Sequence, residues 1–403
     1  MSRVFFADIR SGFGYNLLDK LELLMNKLEL EKKIDKGDVV GIKTHFGSLG
    51  TTRHLRPMYI RAIVDKVKEL GGRPVVVETC GHGYGGGVWG IRATATGYLD
   101  VAARNGFTPQ SLGANILILD GQWGLDFFTF EIKGNRLSKV YLPNGLRGID
   151  FMIVASHFKG HDMAGFGGAL KNLGVGLVAK PSKGLVHIDG EIKLEESGDA
   201  KCTGCARCAE VCPVKAITMV NGKPVIDFEK CIFCGFCYSR LICEPRVLRP
   251  KWTSSEEGTI RFVDNAFGVI SYLGKDNFAY INFVIDVTPY CDCAPFSDQI
   301  IVPDQGILAS FDPVAVDKAS YDLVNQAPGI PGSAAEEKDA TKPGVDKFSK
   351  IFGHNSAVLQ LEVAEKLGLG SREYALEWVI PEAQKENMKK HRIYLFIYPR
   401  GKL

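Results

Sequence analysis

The stretch IDFMIVASHF, residues 149–158, decides the fold, because it is a nearly unbroken apolar run that ends in polar residues. Such a run predicts a strand that is buried on both faces of a sheet. Further runs of this kind occur at residues 38–46, 73–80, 114–120 and 278–287, with a strand-rich segment at 298–310. Amphipathic stretches that predict helices alternate with them, at residues 17–30, 56–72, 93–107, 259–274 and 312–326. We therefore expect an α/β fold, with mostly parallel strands covered by helices in one lobe or two.

The composition is that of an ordinary globular protein, with 403 residues, 45% hydrophobic content and 24% charged content. The net charge of +3 gives no reason to expect nucleic acid or an anionic membrane surface as a partner. No apolar stretch approaches the roughly 20 residues of a membrane span. The first residues also lack the apolar core of a signal peptide. We expect a cytoplasmic protein.

Eight of the eleven cysteines lie between residues 202 and 243, and such clustering indicates metal rather than disulfides. The first run, CTGCARCAEVCP, has the spacing C-x2-C-x2-C-x3-C-P that occurs in bacterial ferredoxins. The second run, CIFCGFCYSRLICEP, repeats the triplet but places five residues before its last cysteine. A pair of zinc sites is the alternative, although two C-x2-C-x2-C triplets suit tetrahedral zinc poorly.

The two runs resemble a dicluster bacterial-type ferredoxin domain, which implies two [4Fe–4S] clusters with crossed ligands. One cluster would be bound by Cys202, Cys205, Cys208 and Cys243, and the other by Cys212, Cys231, Cys234 and Cys237. The longer spacing leaves open whether Cys243 is a ligand. We expect this small α+β domain at residues 196–252, inserted between a first part of the α/β body at residues 1–195 and a second part at residues 253–403.

Motifs on both sides of the insert resemble the family catalogued as domain of unknown function 362. They are KTHFG, VVVETCGHGYGGG, SHFKGH, GALKNLGVGL, PYCDC, PDQGILAS and DPVAVDKA, and they lie between residues 38 and 326. The resemblance implies the fold and iron–sulfur clusters rather than a particular reaction. The layout is also distantly similar to that of nickel-dependent lactate racemase-like proteins, without a motif that would transfer catalytic roles.

A polar, glycine-rich loop follows the first strand described above, and residues 156–174 read SHFKGHDMAGFGGALKNLG. We predict His157 and His161 as proton donors or metal ligands in a catalytic site that includes Lys159. Lys159 and Lys171, with Asn172 beside them, would hold an anion such as a phosphate or a carboxylate. The alternative is a mobile hinge whose histidines only bond to loop carbonyls.

A second glycine-rich segment, ETCGHGYGGGVWG at residues 78–90, also follows a predicted strand. Gly81, Gly83 and Gly86 have the spacing of loops whose amides cradle the phosphate of a nucleotide or a flavin. A glycine-rich turn without a ligand has the same pattern. No acidic partner for a ribose is evident at the end of a second strand.

PYCDC, residues 289–293, follows a predicted strand at the edge where α/β proteins place their ligands. In an extended segment Cys291 and Cys293 would face the same side, where they would bind a soft metal or form a redox dithiol. Small buried cysteines without a role are the alternative. The remaining cofactor-binding candidates are Asp304, at a predicted strand end, and His45. His187 is a further candidate for the site, and the alternative for both lone histidines is a structural role.

The sequence as a whole predicts an iron–sulfur oxidoreductase. Its two clusters would relay low-potential electrons between a redox partner protein, or another low-potential donor, and a site in the α/β cleft. That site would hold a small anionic ligand, and a flavin, another anionic cofactor or an additional metal are all left open. The alternatives are an electron carrier or scaffold without catalysis, a non-redox enzyme with structural clusters that acts on an anionic substrate, and a redox-sensing regulator.

Overall fold

The computed structural model describes residues 1–83, 90–240 and 242–391. Numbered along the chain, the strands are β1 Ser2–Asp8, β2 Val39–Lys43, β3 Arg73–Glu78, β4 Ile116–Ile118, β5 Phe127–Glu131, β6 Lys139–Pro143, β7 Phe151–His157, β8 Lys159–His161, β9 Gly165–Gly167, β10 Ile188–Leu194, β11 Ile217–Val220, β12 Lys223–Ile226, β13 Leu248–Trp252, β14 Phe278–Val284, β15 Gly306–Ser310 and β16 Tyr374–Trp378. The helices are α1 Leu17–Lys27, α2 Pro57–Glu69, α3 Ala95–Arg104, α4 Pro109–Leu112, α5 Ala169–Gly174, α6 Lys180–His187, α7 Arg207–Glu210, α8 Ser255–Leu273, α9 Pro313–Gln326, α10 Ala334–Glu337, α11 Lys347–Phe352, α12 Ser356–Lys366 and α13 Glu382–His391. None of these described helices is both long enough and apolar enough to cross a membrane.

Eight of the strands form one mixed sheet in the order β16–β1–β15–β14–β7–β2–β3–β4. Strands β14, β7, β2, β3 and β4 run parallel, whereas β15 is antiparallel to both of its neighbours. The predicted α/β class is therefore confirmed, and the described part of the body is built on one large sheet rather than on two lobes. Of the segment predicted as strand-rich at residues 298–310, only Gly306–Ser310 is a strand. Pro303 lies in the part of this segment that does not form a strand, and proline has no N–H group to donate to a neighbouring strand.

Helices cover both faces of this sheet, and the side chains of β7 alternate between them. Met152 and Val154 pack into one hydrophobic cluster with residues of α5, α8 and α9. Phe151 and Ile153 pack into the other cluster, with residues of α1 and α2. All seven residues of β7 are buried. Burial on both faces explains why the strand is apolar along almost its whole length.

Four of the parallel strands, β2, β3, β7 and β14, end at the same edge of the sheet. The polar segments that follow them therefore meet there, as the carboxyl ends of parallel strands generally do. Gly160 shows how closely two of these segments approach. Its N–H donates to the Thr288 carbonyl oxygen at 2.8 Å. A Cβ atom on Gly160 would lie 2.1 Å from the Pro289 carbonyl oxygen, so the approach requires glycine.

The cysteine-rich segment is an insert carried on an antiparallel stem. Strand β10 pairs with β13, and β11 and β12 form a hairpin between them. The stem begins at Ile188, before the predicted domain start at residue 196, and ends at Trp252, the last residue of the predicted domain. The insert has a small core of its own, made of Ile188, Ile192, Ile217, Phe233, Cys237 and Leu248.

Candidate functional site

A cavity of about 700 Å³ lies at the carboxyl edge of β2, β3, β7 and β14. Cavities of this size are typical of sites for small molecules and cofactors. Most of the residues predicted for the cleft line it, namely His45, Gly81, Gly83, His157, Lys159, His161, Lys171, Asn172, His187, Cys291 and Cys293. These residues are far apart in the sequence, so the order of the strands brings them together.

Cys291 and Cys293 lie in a turn rather than in the predicted extension of β14, because the Ala294 N–H bonds back to the Cys291 carbonyl oxygen at 2.9 Å. Both cysteines still line the cavity. The Lys171 Nζ lies 3.8 Å from the Cys291 Sγ. A hydrogen bond from the Cys293 thiol holds the pKa of Cys291 well below its usual range, and the same contact, together with burial, raises the pKa of Cys293. The turn therefore presents a thiolate and a thiol beside an ammonium group.

His161 reaches the same two sulfur atoms. One of its ring nitrogens and the Sγ atoms of Cys291 and Cys293 all lie within 4.8 Å of one another, which is close enough to share a metal ion. The Nδ1 atom of His161 accepts hydrogen bonds from the N–H groups of Met163 and Ala164, both at 3.1 Å. Burial lowers the pKa of His161 well below its usual value, so the ring is neutral. A neutral ring whose Nδ1 is an acceptor carries its proton on Nε2.

His157 and Lys159 are paired with the buried carboxylate of Asp292. One carboxylate oxygen lies 2.9 Å from the His157 Nδ1 and 3.3 Å from the Lys159 Nζ. The other ring nitrogen of His157, Nε2, faces the Ile285 carbonyl oxygen at 2.9 Å. Although burial by itself raises the pKa of Asp292, the charges of His157 and Lys159 hold that pKa well below its usual range. In this arrangement His157 has no ring nitrogen left for a metal or a substrate.

Arg92 and His45 lie on the other side of the Cys291–Cys293 turn. The Arg92 Nη2 donates to the Cys293 carbonyl oxygen at 3.0 Å, and its Nη1 lies 3.3 Å from the His45 Nε2. Burial and the neighbouring Arg92 charge lower the pKa of His45 well below its usual value. Arg92 thus fixes the turn and adds a positive charge to the cavity. Nothing in the spacing of residues around Arg92 predicts this position.

Two buried lysines, Lys43 and Lys183, make polar contacts that the motifs did not predict. Lys43 forms an ion pair with Glu78 of the neighbouring strand and donates to the Asn172 Oδ1 at 2.7 Å. Asn172, which was predicted to bind an anion, is therefore bonded to the protein. Lys183 donates to the Thr79 Oγ1 at 2.6 Å. For Lys43 the signal in the sequence is its position, since it is the last residue of β2.

The glycine-rich loop and Asp304 contribute less than their patterns predicted. The Gly81 N–H donates to the carbonyl oxygen of Arg92 at 2.7 Å, so this amide is already bonded. Gly83 lines the cavity, whereas Gly86 lies outside the described residues. Asp304 does not line the cavity. Its carboxylate accepts a hydrogen bond from a backbone N–H of the preceding loop at 2.7 Å.

A second, smaller cavity of about 20 Å³ lies inside the insert. Cys212, Cys231, Cys234 and Cys237 line it together with apolar side chains. These are the four residues that crossed ligation assigns to one cluster, with Cys212 coming from the first run. Burial, together with the neighbouring Cys231 and Cys212, raises the pKa of Cys234 to about 11. Four thiols around one apolar cavity form a donor set that fits a [4Fe–4S] cluster.

The first three cysteines of the insert lie on its more exposed side. Cys205 is exposed, and Cys202 and Cys208 are partly exposed. Burial raises the pKa of Cys208, and the neighbouring thiols of Cys202 and Cys205 also raise it. Cys243 is buried, and its N–H donates to the Ser239 carbonyl oxygen at 2.8 Å. Its role as the fourth ligand of this set stays a prediction.

The two cavities share a wall. Phe233, which lines the small cavity, accepts a hydrogen bond through its carbonyl oxygen from the His82 Nε2 at 2.9 Å. His82 and His187 line the large cavity, and their ring centres are 6.0 Å apart. Helix α6 also contacts this wall, because a Cβ atom on Gly184 would lie 2.1 Å from the Phe233 carbonyl oxygen. The insert is therefore packed directly against the edge of the candidate site.

The fold and the site define a class of protein in which an α/β body with a ligand-sized cavity carries a cysteine-rich, ferredoxin-like insert. The family model described as domain of unknown function (DUF362) matches residues 40–322, which is well over half of the chain. The chain belongs to this family. The matched range includes both the motifs of the body and the insert.

Curated relatives match shorter segments. An uncharacterized ferredoxin from Methanocaldococcus jannaschii is 37% identical over 54 residues, which are 13% of this chain and 36% of that protein. NADH-quinone oxidoreductase subunit I 2 from Geobacter metallireducens is 42% identical over 48 residues, 9% of this chain and 37% of that protein. The chain thus spans less than two fifths of the length of either relative. These matches imply that the chain carries iron–sulfur clusters.

Among solved structures, the lactate racemase apoprotein from Thermoanaerobacterium thermosaccharolyticum is similar over 96% of this chain and 85% of that chain. The sequence identity is 11% and the TM-score is 0.39. A likeness at that score carries no argument about the reaction.

Proposed function

We propose that the chain is an iron–sulfur oxidoreductase in which two [4Fe–4S] clusters relay low-potential electrons to or from a ligand in the large cavity. The shared wall between the two cavities carries this proposal. There the Phe233 carbonyl oxygen, beside the cysteines of the second run, is bonded to His82 of the large cavity. A protein that only docked redox partners would not need its cysteine cavity against a ligand-sized site.

The exposure of the cysteines supports a path for electrons between the surface of the insert and the large cavity. Cys205 is exposed, whereas Cys234 and Cys237 are buried beside the wall. When bound, the two clusters would supply one-electron transfer between these positions. The outer thiols would hold a cluster within reach of a redox partner protein. The inner thiols, in their apolar surroundings, would hold the other cluster next to the large cavity and keep water from it.

The charges that line the large cavity support an anionic ligand, either a small substrate or a cofactor such as a flavin. The cationic side chains in the lining are Arg92, Lys159, Lys171 and Lys183, whereas the carboxylates in the lining are Glu78 and Asp162. Glu78 is paired with Lys43 and Lys159 is paired with Asp292, which leaves three cations against one carboxylate among the described lining residues. Lys171 and Arg92 contact the Cys291–Cys293 turn and would orient a phosphate or a carboxylate beside it.

Metal analysis of anaerobically purified protein tests the cluster content. We expect about eight iron and eight sulfide per chain, and about half of that in Cys234→Ser, which removes one ligand of the inner set. Cys80→Ser is the matched control, because Cys80 is a buried thiol outside the insert, and its iron content should equal that of the wild type. Zinc in place of iron would contradict the proposal.

Electron delivery is tested with reduced methyl viologen as the donor and a set of small carboxylates and phosphates as acceptors. Mass spectrometry of compounds released from the holoprotein narrows that set and detects a flavin. We expect turnover in the wild type and in Cys80→Ser, and a loss of turnover in Cys234→Ser. Turnover that persists without the inner cluster would show that the clusters are structural. Two intact clusters without any accepted substrate would favour the electron carrier.

A further inference from the structure

We propose that Cys291 and Cys293 form a redox-active dithiol, which interconverts with a disulfide and couples one-electron carriers to two-electron chemistry in the large cavity. The two residues lie in one turn, and their Sγ atoms are within 4.8 Å of each other. Both residues line the large cavity, and the insert packs against the wall of that cavity. The inference rests on the proposed function for the source of single electrons.

The same cysteines and His161 could share a metal ion, but the surrounding charges favour thiolate over a bound cation. The Lys171 Nζ is 3.8 Å from the Cys291 Sγ, and the Arg92 guanidinium bonds to the Cys293 carbonyl oxygen. A positive charge 3.8 Å from the Cys291 sulfur atom, with a second one bonded to the backbone of the same turn, would repel a divalent ion. They stabilise a thiolate instead, which is the reactive form of a cysteine.

The hydrogen bonds of His161 also disfavour a metal. A metal-binding histidine ordinarily donates its second ring N–H to an acceptor. The Nδ1 of His161 instead accepts from two backbone N–H groups, those of Met163 and Ala164. The neutral ring therefore offers an N–H group at Nε2, not a lone pair. His161 is a positioning residue in this scheme, since one of its ring nitrogens lies within 4.8 Å of both sulfur atoms.

The redox step balances with one proton. In the oxidising direction the S–H bond of Cys293 breaks, an S–S bond forms with the Cys291 thiolate, and two electrons and one proton leave. The electrons pass singly to one-electron acceptors of the iron–sulfur class, and the proton passes to water in the cavity. In the reducing direction the S–S bond takes up two electrons and one proton, which restores the thiolate beside Lys171 and the thiol of Cys293.

Alkylation followed by mass spectrometry tests the dithiol directly. Holoprotein is reduced with dithionite or oxidised with a mild oxidant under anaerobic conditions, and the reaction is quenched in acid. The protein is then denatured in the presence of N-ethylmaleimide, which alkylates free thiols, and digested with trypsin. Both cysteines lie in one tryptic peptide, residues 276–318. We expect two alkylated cysteines after reduction and an unalkylated, disulfide-linked peptide after oxidation. The peptide that contains Cys80 is the internal control, and Cys80 should be alkylated in both samples.

Electron counting separates this inference from the proposed function. With both clusters present, the oxidised wild type should take up about four electrons per chain, and Cys291→Ser and Cys293→Ser about two. Equal uptake in all three, with free thiols after oxidation, would overturn the dithiol and leave the proposed function standing. A stoichiometric metal other than iron that is lost in Cys291→Ser would also overturn it. Protein without clusters would instead defeat the proposed function, and the alkylation result would still report on the dithiol.

Discussion

Asp292 binds the polar residues behind the candidate site, and these contacts change the role expected of two predicted catalytic residues. The predicted proton donor His157 and the predicted anion ligand Lys159 both bind its carboxylate. Asp292 lies between Cys291 and Cys293 and turns away from the cavity, so its side chain holds the turn in place. At the scale of single residues, the groups left to act beside the Cys291–Cys293 turn include the two thiols, His161, Lys171 and Arg92.

We predict that Asp292→Asn lowers the free energy of unfolding by about 3–5 kcal/mol, because it removes a buried charge that faces His157 and Lys159. Urea unfolding of the anaerobic holoprotein measures this change. The control is Asp65→Asn, which breaks the exposed ion pair with Arg61 and should cost about 1 kcal/mol or less. An equal effect of the two substitutions would show that the buried network does not stabilise the site.

Residue patterns predicted the types of side chain at the site better than their contacts. Cys291 and Cys293 face one cavity as predicted, but through a turn, because the bond from Ala294 to Cys291 closes the backbone locally. Arg92 could not be predicted, since it reaches the Cys293 carbonyl only through tertiary packing. The amide of Gly81 is bonded to a backbone carbonyl, a contact between segments that glycine spacing does not encode.

Helix α6 leads from the body into the insert, since it ends at His187 and β10 begins at Ile188. The helix directly precedes the first strand of the stem. Both Gly184 and His187 lie at the shared wall. Because a Cβ atom at residue 184 would lie 2.1 Å from the Phe233 carbonyl oxygen, the helix and the second cysteine run pack backbone against backbone. Docking of the insert therefore depends on this helix.

We predict that Gly184→Ala forces the insert away from α6, at a cost of about 1–3 kcal/mol for the overpacked contact. Hydrogen exchange should become faster in residues 188–252 and around His82. The matched control is Gly148→Ala, because nothing lies within 4 Å of a Cβ atom at that position. Unchanged protection of the insert in Gly184→Ala would contradict the docking contact.

The pH dependence of docking follows from the two histidines at the wall. Burial lowers the pKa of His187 from 6.5 to about 4 and that of His82 to about 3. An opened state binds more protons than the docked state between pH 6.5 and 4, so stability rises with pH across this window and is lost on acidification. For His187 the shift corresponds to about 3 kcal/mol.

Thermal unfolding at pH 7 and pH 5 measures this dependence, since both values avoid full acid denaturation. We expect the wild type to lose more stability than His187→Gln, in which residue 187 cannot take up a proton. The same loss in both proteins would mean that His187 does not contribute to the docking of the insert.

At the scale of the whole molecule, the sheet and the convergence of its polar segments were predictable from apolar runs. Buried parallel strands end at one edge, so residues after β2, β3, β7 and β14 had to meet. The shared wall was not predictable, because the position of an insert on its host depends on contacts such as the one from His82 to Phe233. The cysteine spacing indicates that electrons move, and only the fold shows which cavity the insert adjoins.

Anomalous diffraction at the iron edge, from crystals of the anaerobically purified protein, tests the central claim most directly. We predict two groups of iron atoms, one of them enclosed by Cys212, Cys231, Cys234 and Cys237. That group should lie against the wall formed by Phe233 and His82, next to the large cavity. Iron missing from the inner cysteine cavity, or an insert that has moved away from this wall, would contradict the proposed electron path.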